Sequence, residues 1–215
     1  NKLKKKSQLY KEINMENTTL TRNKKIALTG AFSALVIVLG ITKLGLIPIG
    51  PTASISILQI PMFIALMLAG LPSGASVGAV FGIMSLIQAA MSPSGVLDPL
   101  FVNPLCSVLP RVLTAVVAWV IWKLLSLIPH MPKTVNAAIT GFLGTVLHTA
   151  LVIGCLYIFQ GGAVRAAMGG MGYFALMGVL SVNVIFEAIA ATIVCAAVFA
   201  GLFISSKKKS KLSQE

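Results

Sequence analysis

The sequence predicts an all-α integral membrane protein, a bundle of six transmembrane helices, and three observations carry that reading. Of 215 residues, 57% are hydrophobic and only 10% are charged, whereas a water-facing domain carries roughly 25% charged residues. The apolar residues come in long runs, several approaching the ~20 residues that span a bilayer as helix. Third, the charge is segregated. Fourteen of the seventeen Lys and Arg residues lie in three places. Lys2, Lys4, Lys5, Lys6, Lys11, Arg22, Lys24 and Lys25 precede the first run, Lys123 and Lys133 flank a middle loop, and Lys207, Lys208, Lys209 and Lys211 follow the last run. This is the positive-inside pattern, which sets orientation and meets anionic lipid at the inner leaflet.

The spans fall at about 25–44, 57–70, 73–92, 103–128, 134–159 and 173–205. The run from Ile26 to Thr42 is longer than a signal-peptide core and no A-x-A-like cleavage site follows it, so it reads as a retained first span. "MENTTLTRNKK" from Met15 reads as a natural start, which sets residues 1–14 apart. The expected organisation is a basic cytoplasmic segment (1–24), a six-helix membrane domain (25–205) and a basic cytoplasmic tail (206–215). Six spans place both termini on the cytoplasmic side of the cell membrane. The outer loops, 45–56, 93–102 and 160–172, are rich in Gly, Pro and Ser and read as turns and mobile caps.

Several function classes are disfavoured. The net charge of +12 is not arranged as a basic patch interleaved with aromatics, so nucleic-acid binding is not expected. Cys106, Cys155 and Cys195 lie in apolar runs without paired spacing, which fits neither a disulfide framework nor a metal site. "GASVG" at 74–78 matches G-x-S-x-G, but that motif needs a strand–turn–helix elbow, and here it lies on a glycine ladder. Ser76 and His148 are the only candidates for a hydrolase. There is no P-loop and no H-E-x-x-H, so no catalytic residue, metal or cofactor is assigned to this chain.

Polar residues inside the spans need partners. Asn103, Ser107 and Arg111 are spaced i, i+4, i+8 and share one stripe of the fourth helix. Arg111 enters about eight residues from the outer end, on the order of 12 Å deep. An arginine near mid-membrane costs roughly 2.5 to 3.5 kcal/mol on translocon scales, so it must meet a carboxylate, a carbonyl or a polar cavity. Glu187, with Asn183 one turn before it, is the only acid within a span. Arg111 and Glu187 are a candidate structural ion pair, or Arg111 faces a ligand, and the two readings can coexist. Pro104 suits a first helical turn, and Pro110 should kink the helix and free carbonyls around the arginine. His148, midway along the fifth helix, and Gln88, near the outer end of the third, are further candidate ligand contacts; Gln59 could face the same vestibule.

Two small-residue ladders accompany them. Gly70, Gly74, Gly78 and Gly82 share one helix face and permit close backbone approach. Ala27 and Ala31, with Gly30 and Ala34 on a neighbouring stripe, make a smooth face on the first helix. That face serves either internal packing or a partner helix.

Taken in order, these residues resemble the substrate-binding S component of energy-coupling factor (ECF) vitamin transporters over about residues 24–205. The likeness rests on the Ala27–Ala31 step, "ILQIPMFIALMLAG", "GASVGAVFGIMSLIQAAMSP", "FVNPLCSVLPR", "GFLGTVLHTALVIGCLYIF" and "NVIFEAIAA". The resemblance implies a six-helix bundle binding a water-soluble vitamin or precursor near the outer face. It implies docking through the first helix on a membrane coupling (T) subunit, with two cytoplasmic ATPases supplying energy from ATP and Mg, and toppling of the subunit to release its substrate. Carried over, the family pocket points to loop 45–56, Asn103, Ser107, Arg111, His148 and Asn183. The nearest subgroup handles pantothenate, with the hydroxymethylpyrimidine/pyridoxine subgroup next. Pantothenate carries a carboxylate that Arg111 or Lys43 could pair, whereas a pyridine or pyrimidine wants aromatics such as Phe101 or Tyr157. The alternatives are a stand-alone ion-coupled secondary transporter and an intramembrane hydrolase. The first would need an ion site and usually an inverted repeat, and none is visible.

Overall fold

A computed structural model describes residues 21–48, 54–93 and 95–212. The expected start at Met15, the basic segment before Thr21 and the tip of the first outer loop lie outside the described residues, as do the lysine side chains of the C-terminal tail. The chain is an all-α bundle, as its hydropathy predicts. The helices are α1 (Arg22–Ile41), α2 (Gln59–Ala69), α3 (Leu71–Met91), α4 (Pro104–Leu125), α5 (Lys133–Ala167) and α6 (Tyr173–Leu212). A short 3₁₀ segment, Asp98–Val102, leads into α4. Two three-residue strands, β1 (Leu46–Pro48) and β2 (Ser54–Ser56), follow α1. They pair antiparallel, with Ile47 opposite Ile55. The loop expected as a mobile cap is therefore a hairpin. It marks one end of the bundle, the hairpin end; the start of α1 and the finish of α4 mark the other, the lysine end.

Among the described residues five helices are long and apolar enough to cross a membrane, and α2 is shorter. Eleven residues of helix rise only about 16 Å, short of a ~30 Å hydrocarbon core. Burial explains how so short a helix is held. Met62, Phe63 and Ala65 are fully buried, with Leu66 nearly so, because α2 is the core around which the longer helices pack. Pro61 sits within its first turn, where a missing N–H costs little. Gly70 then turns the chain into α3 with φ +94°, a conformation that a Cβ would strain. By contrast α1 and α6 leave Ile26, Ile41, Phe174, Ile193 and Ile204 exposed, as expected of surfaces that face lipid.

The glycine ladder is an internal seam. A Cβ on Gly82 would lie 2.5 Å from Val108 Cα, and one on Gly78 would lie 3.0 Å from Arg111 O. These glycines let the backbones of α3 and α4 approach closely at the turn that carries Arg111. Gly74 meets Leu66 of α2 in the same way.

Two boundaries differ from expectation, one of them that of α6, which runs past residue 205 to Leu212. Helix α5 does not end near residue 159 but continues to Ala167, bending at Gln160 (φ −139°, ψ 29°). Val164 in this extension is fully buried, which holds the extra turns in place. Gln160 Nε2 also donates to Leu100 O at 2.9 Å, tying the bend to the 3₁₀ segment. Of the glycines in "QGGAVRAAMGGMG", Gly169 and Gly170 take positive φ, so the turn is confined to the end of the stretch.

Candidate functional site

A cavity of about 210 Å³ opens among α3, α4, α5 and α6 beneath the hairpin. Its size lies below the ~300–1,000 Å³ of drug-sized sites, so it suits a small molecule. Its polar wall is built around Arg111, which is 5% exposed. Pro110 lies inside α4 and lacks an N–H, which leaves the carbonyl one turn back, Cys106 O, without its helical donor. Arg111 Nη1 donates to that oxygen at 2.8 Å. Nη2 donates to Ser85 Oγ on α3 at 3.1 Å. The guanidinium lies 4.9 Å from the Phe101 ring centre and 5.3 Å from that of Phe81, within cation–π range. The sequence's expectation that proline would free a carbonyl for the arginine is met in a specific atom.

The ion pair with Glu187 is not made. Glu187 Oε1 instead accepts from Ser56 N of β2 at 2.6 Å, and Gln59 Nε2 lies 3.5 Å from Oε2. Its carboxylate is engaged by the hairpin and the start of α2, while Arg111 Nη1 and Nη2 are taken by a carbonyl and a hydroxyl nearer to hand and its Nε has no hydrogen-bond partner among the described residues. Both residues nonetheless line the one cavity, so a cation and an anion face the same small volume.

His148 lines that volume too. It is 6% exposed, and its ring stacks on Phe81 at 5.7 Å between centroids. Neither of its ring nitrogens has a hydrogen-bond partner among the described residues. An imidazole offers one donor and one acceptor when neutral, and burying both unmet costs free energy. The arrangement thus leaves a buried imidazole with two unmet polar atoms on the cavity's lining. Asn183, one turn before Glu187 on α6, also lines it. So does Gln88, although its Nε2 is engaged by Gly40 O of α1 at 2.6 Å. Lys43, at the turn after α1, donates to Ser92 Oγ, and both sit on the wall.

Two expected contacts fall elsewhere. Asn103 caps α4, its side chain accepting from Leu105 N at 3.0 Å, and Ser107 donates to Phe101 O. Neither lines the cavity: the helix start and the 3₁₀ segment take up their polar atoms. Gln59 is buried behind the cavity, donating to Thr145 Oγ1 at 3.2 Å. Residues not foreseen include Phe81, Ser85 and Thr149. Phe81, Ser85 and Gln88 stand at i, i+4 and i+7, so the helical face was present in the sequence.

The hydrolase alternative finds no geometry. Ser76 is an exposed helical residue donating to Pro72 O, and it lines a separate groove at the lysine end, not the cavity of His148.

Residues 24–200 match the family described as "ECF transporter, substrate-specific component". The chain is also similar to the "Pantothenate transporter PanT" of Leuconostoc mesenteroides subsp. mesenteroides, 28% identical over 188 residues that cover 82% of this chain and 91% of that protein. With the family matched over most of its length, and with apolar helices long enough to span a bilayer, the chain belongs to the substrate-specific components of energy-coupling factor transporters: it is a multi-pass membrane subunit for transport, not an enzyme.

Proposed function

We propose that this chain captures pantothenate at the outer face of the cell membrane and delivers it to a shared ATP-driven coupling module. The observation that carries the ligand assignment is the cavity's Arg111, a buried cation held in place by protein dipoles and not by a carboxylate. Such a group favours an anionic ligand, and pantothenate brings a carboxylate, an amide and hydroxyls. Arg111 pairs the carboxylate, while His148 and Asn183 meet the amide and hydroxyls; Gln88 supports the wall. The aromatic faces argue against a flat heterocycle. The guanidinium lies against Phe81 and Phe101, and His148 also against Phe81, so Phe81 is taken up on two sides and Phe101 on one, which leaves little aromatic surface for a pyridine or pyrimidine. Similarity to a protein named as a pantothenate transporter supports the same choice.

The partners follow from family membership and from α1. Ala27, Gly30, Ala31 and Ala34 are all exposed, and a Cβ on Gly30 would touch nothing within 4 Å. This smooth stripe is free to receive a helix of the membrane coupling subunit at close range. ATP and Mg act in two partner ATPases, and this chain carries no cofactor. Both termini lie on the cytoplasmic side, in keeping with the lysines.

Calorimetry of the purified chain with pantothenate, pyridoxine and hydroxymethylpyrimidine tests the ligand. Tight binding of pantothenate alone is expected; binding of either heterocycle in its place overturns the assignment. Uptake into vesicles is expected only with the coupling subunit and ATPases present. Ion-driven uptake by this chain alone would make it a secondary transporter.

A further inference from the structure

At the lysine end a second concavity, an open groove of about 910 Å³, runs between the start of α1, the α2–α3 turn and the finish of α4. We infer that this groove seats one anionic phospholipid, its phosphate among Arg22, Lys25 and Lys123 and its acyl chains over the apolar floor. The three cations line the groove, and among the described residues no acid lies on it. Among the described residues the only acids, Asp98 and Glu187, line the cavity at the opposite end. Arg22 is the first residue of α1, whose N-cap Thr21 makes no side-chain capping bond, so the positive end of the helix adds to the field. The hydroxyls of Ser33 and Ser73 lie on the same lining.

The rest of the lining is largely apolar, with Ile26 and Pro72 exposed and Leu68 and Leu71 partly so. Trp119 and Trp122 flank it, half-buried, and Lys123 Nζ lies 5.8 Å from the Trp119 ring centre. Tryptophan beside lysine at the end of an apolar span is the chemistry of the headgroup level. A wholly apolar partner helix would leave three cations facing it without a counter-charge, and a soluble anion would leave the floor bare. A lipid with one negative charge and two chains matches both halves. Gly30 belongs both to this groove and to the small-residue stripe of α1, so the bound lipid borders the face proposed for the coupling subunit.

Native mass spectrometry of the purified full chain, titrated with phosphatidylglycerol and phosphatidylcholine of the same chains, tests the assignment. One phosphatidylglycerol is expected to be retained, with phosphatidylcholine at least about tenfold weaker. The double variant Lys25→Gln/Lys123→Gln should weaken phosphatidylglycerol by about twenty-fivefold, each surface charge contributing around a factor of five. Arg22→Gln alone should show about a fivefold loss. Lys24→Gln, on an exposed position outside the groove, should bind as the parent does, and the melting temperature of each variant should hold. Equal retention of phosphatidylcholine, parent-like binding by the double variant, or an equal loss in Lys24→Gln overturns the site. Displacement by inorganic phosphate at lipid-equivalent concentration overturns it too, since that marks a soluble-anion site.

Discussion

Replacing Arg111 by Met separates the two things that the arginine does. In the folded chain its guanidinium donates to Cys106 O and Ser85 Oγ, and Cys106 O depends on it because Pro110 supplies no N–H. Arg111→Met keeps an unbranched, flexible stem, though a shorter one, and removes a buried charge, a change that is often neutral or stabilising when packing is preserved. It also orphans the Cys106 carbonyl, at about 1–3 kcal/mol, and forfeits cation–π contact of order 1 kcal/mol. The balance is a modest destabilisation of about 1–2 kcal/mol. Pantothenate affinity should fall much further. A charge-assisted bond contributes about 1.5–3 kcal/mol, so one or two lost bonds weaken binding by at least about tenfold to a hundredfold. The decisive control is Pro110→Ala in the Arg111→Met background. Alanine restores the N–H that Cys106 O needs, so stability should recover by about 1 kcal/mol while affinity does not. Thermal unfolding in detergent and calorimetry on the four proteins of this cycle measure both quantities. If Pro110→Ala recovers nothing, the carbonyl argument fails. Parent-like affinity in Arg111→Met would falsify the ligand role.

Further outcomes follow from the same geometry. His148→Phe should retain the stack on Phe81 and the fold but lose ligand affinity, read as a raised Kd at unchanged melting temperature; unchanged Kd would remove His148 from the binding wall. Glu187→Ala should release Ser56 N and speed its hydrogen exchange, whereas Glu187→Gln, which keeps an acceptor oxygen, should hold the hairpin near parent rates. Exchange at Ser56 that ignores both changes would show that the carboxylate does not anchor β2. Gly82→Ala drives a Cβ to 2.5 Å from Val108 Cα, so α3 and α4 must part, at about 1–3 kcal/mol of overpacking seen in the melting temperature. Ala27→Leu or Ala31→Leu should spare ligand binding and abolish uptake by the assembled transporter; lost binding would place the stripe in the fold rather than at a partner.

Much of this was legible because a bilayer imposes simple rules. Span order, the seam at Gly78 and Gly82, and an arginine stripe over a proline-freed carbonyl follow from hydropathy and helical spacing alone. The extension of α5 was not legible, since "QGGAVRAAMGGMG" reads as loop by its glycines. Only burial of Val164 and the positive φ of Gly169 and Gly170 show where the helix stops. The strand pairing of 46–48 with 54–56 was equally hidden, because three-residue strands carry no periodic signal.

The partner of Arg111 shows where depth along a helix stops being informative. Counting residues put Arg111 and Glu187 at reachable depths, and both do face one cavity. The count could not register two local competitors. One is a carbonyl a single turn away on the arginine's own helix. The other is a backbone N–H delivered to Glu187 by a hairpin about 130 residues earlier in the chain. With both engaged, the two do not close into an ion pair, and the cavity keeps a cation whose field, damped by the carboxylate on the same lining, is open to a ligand. A direct Arg111–Glu187 pair would have consumed that field. The hairpin's hold on Glu187 is therefore part of what leaves Arg111 to an anion, and because Glu187→Ala removes the competing carboxylate together with the anchor of Ser56 N, it should speed hairpin exchange while pantothenate affinity is kept or raised; a lost affinity would place the carboxylate itself among the ligand contacts.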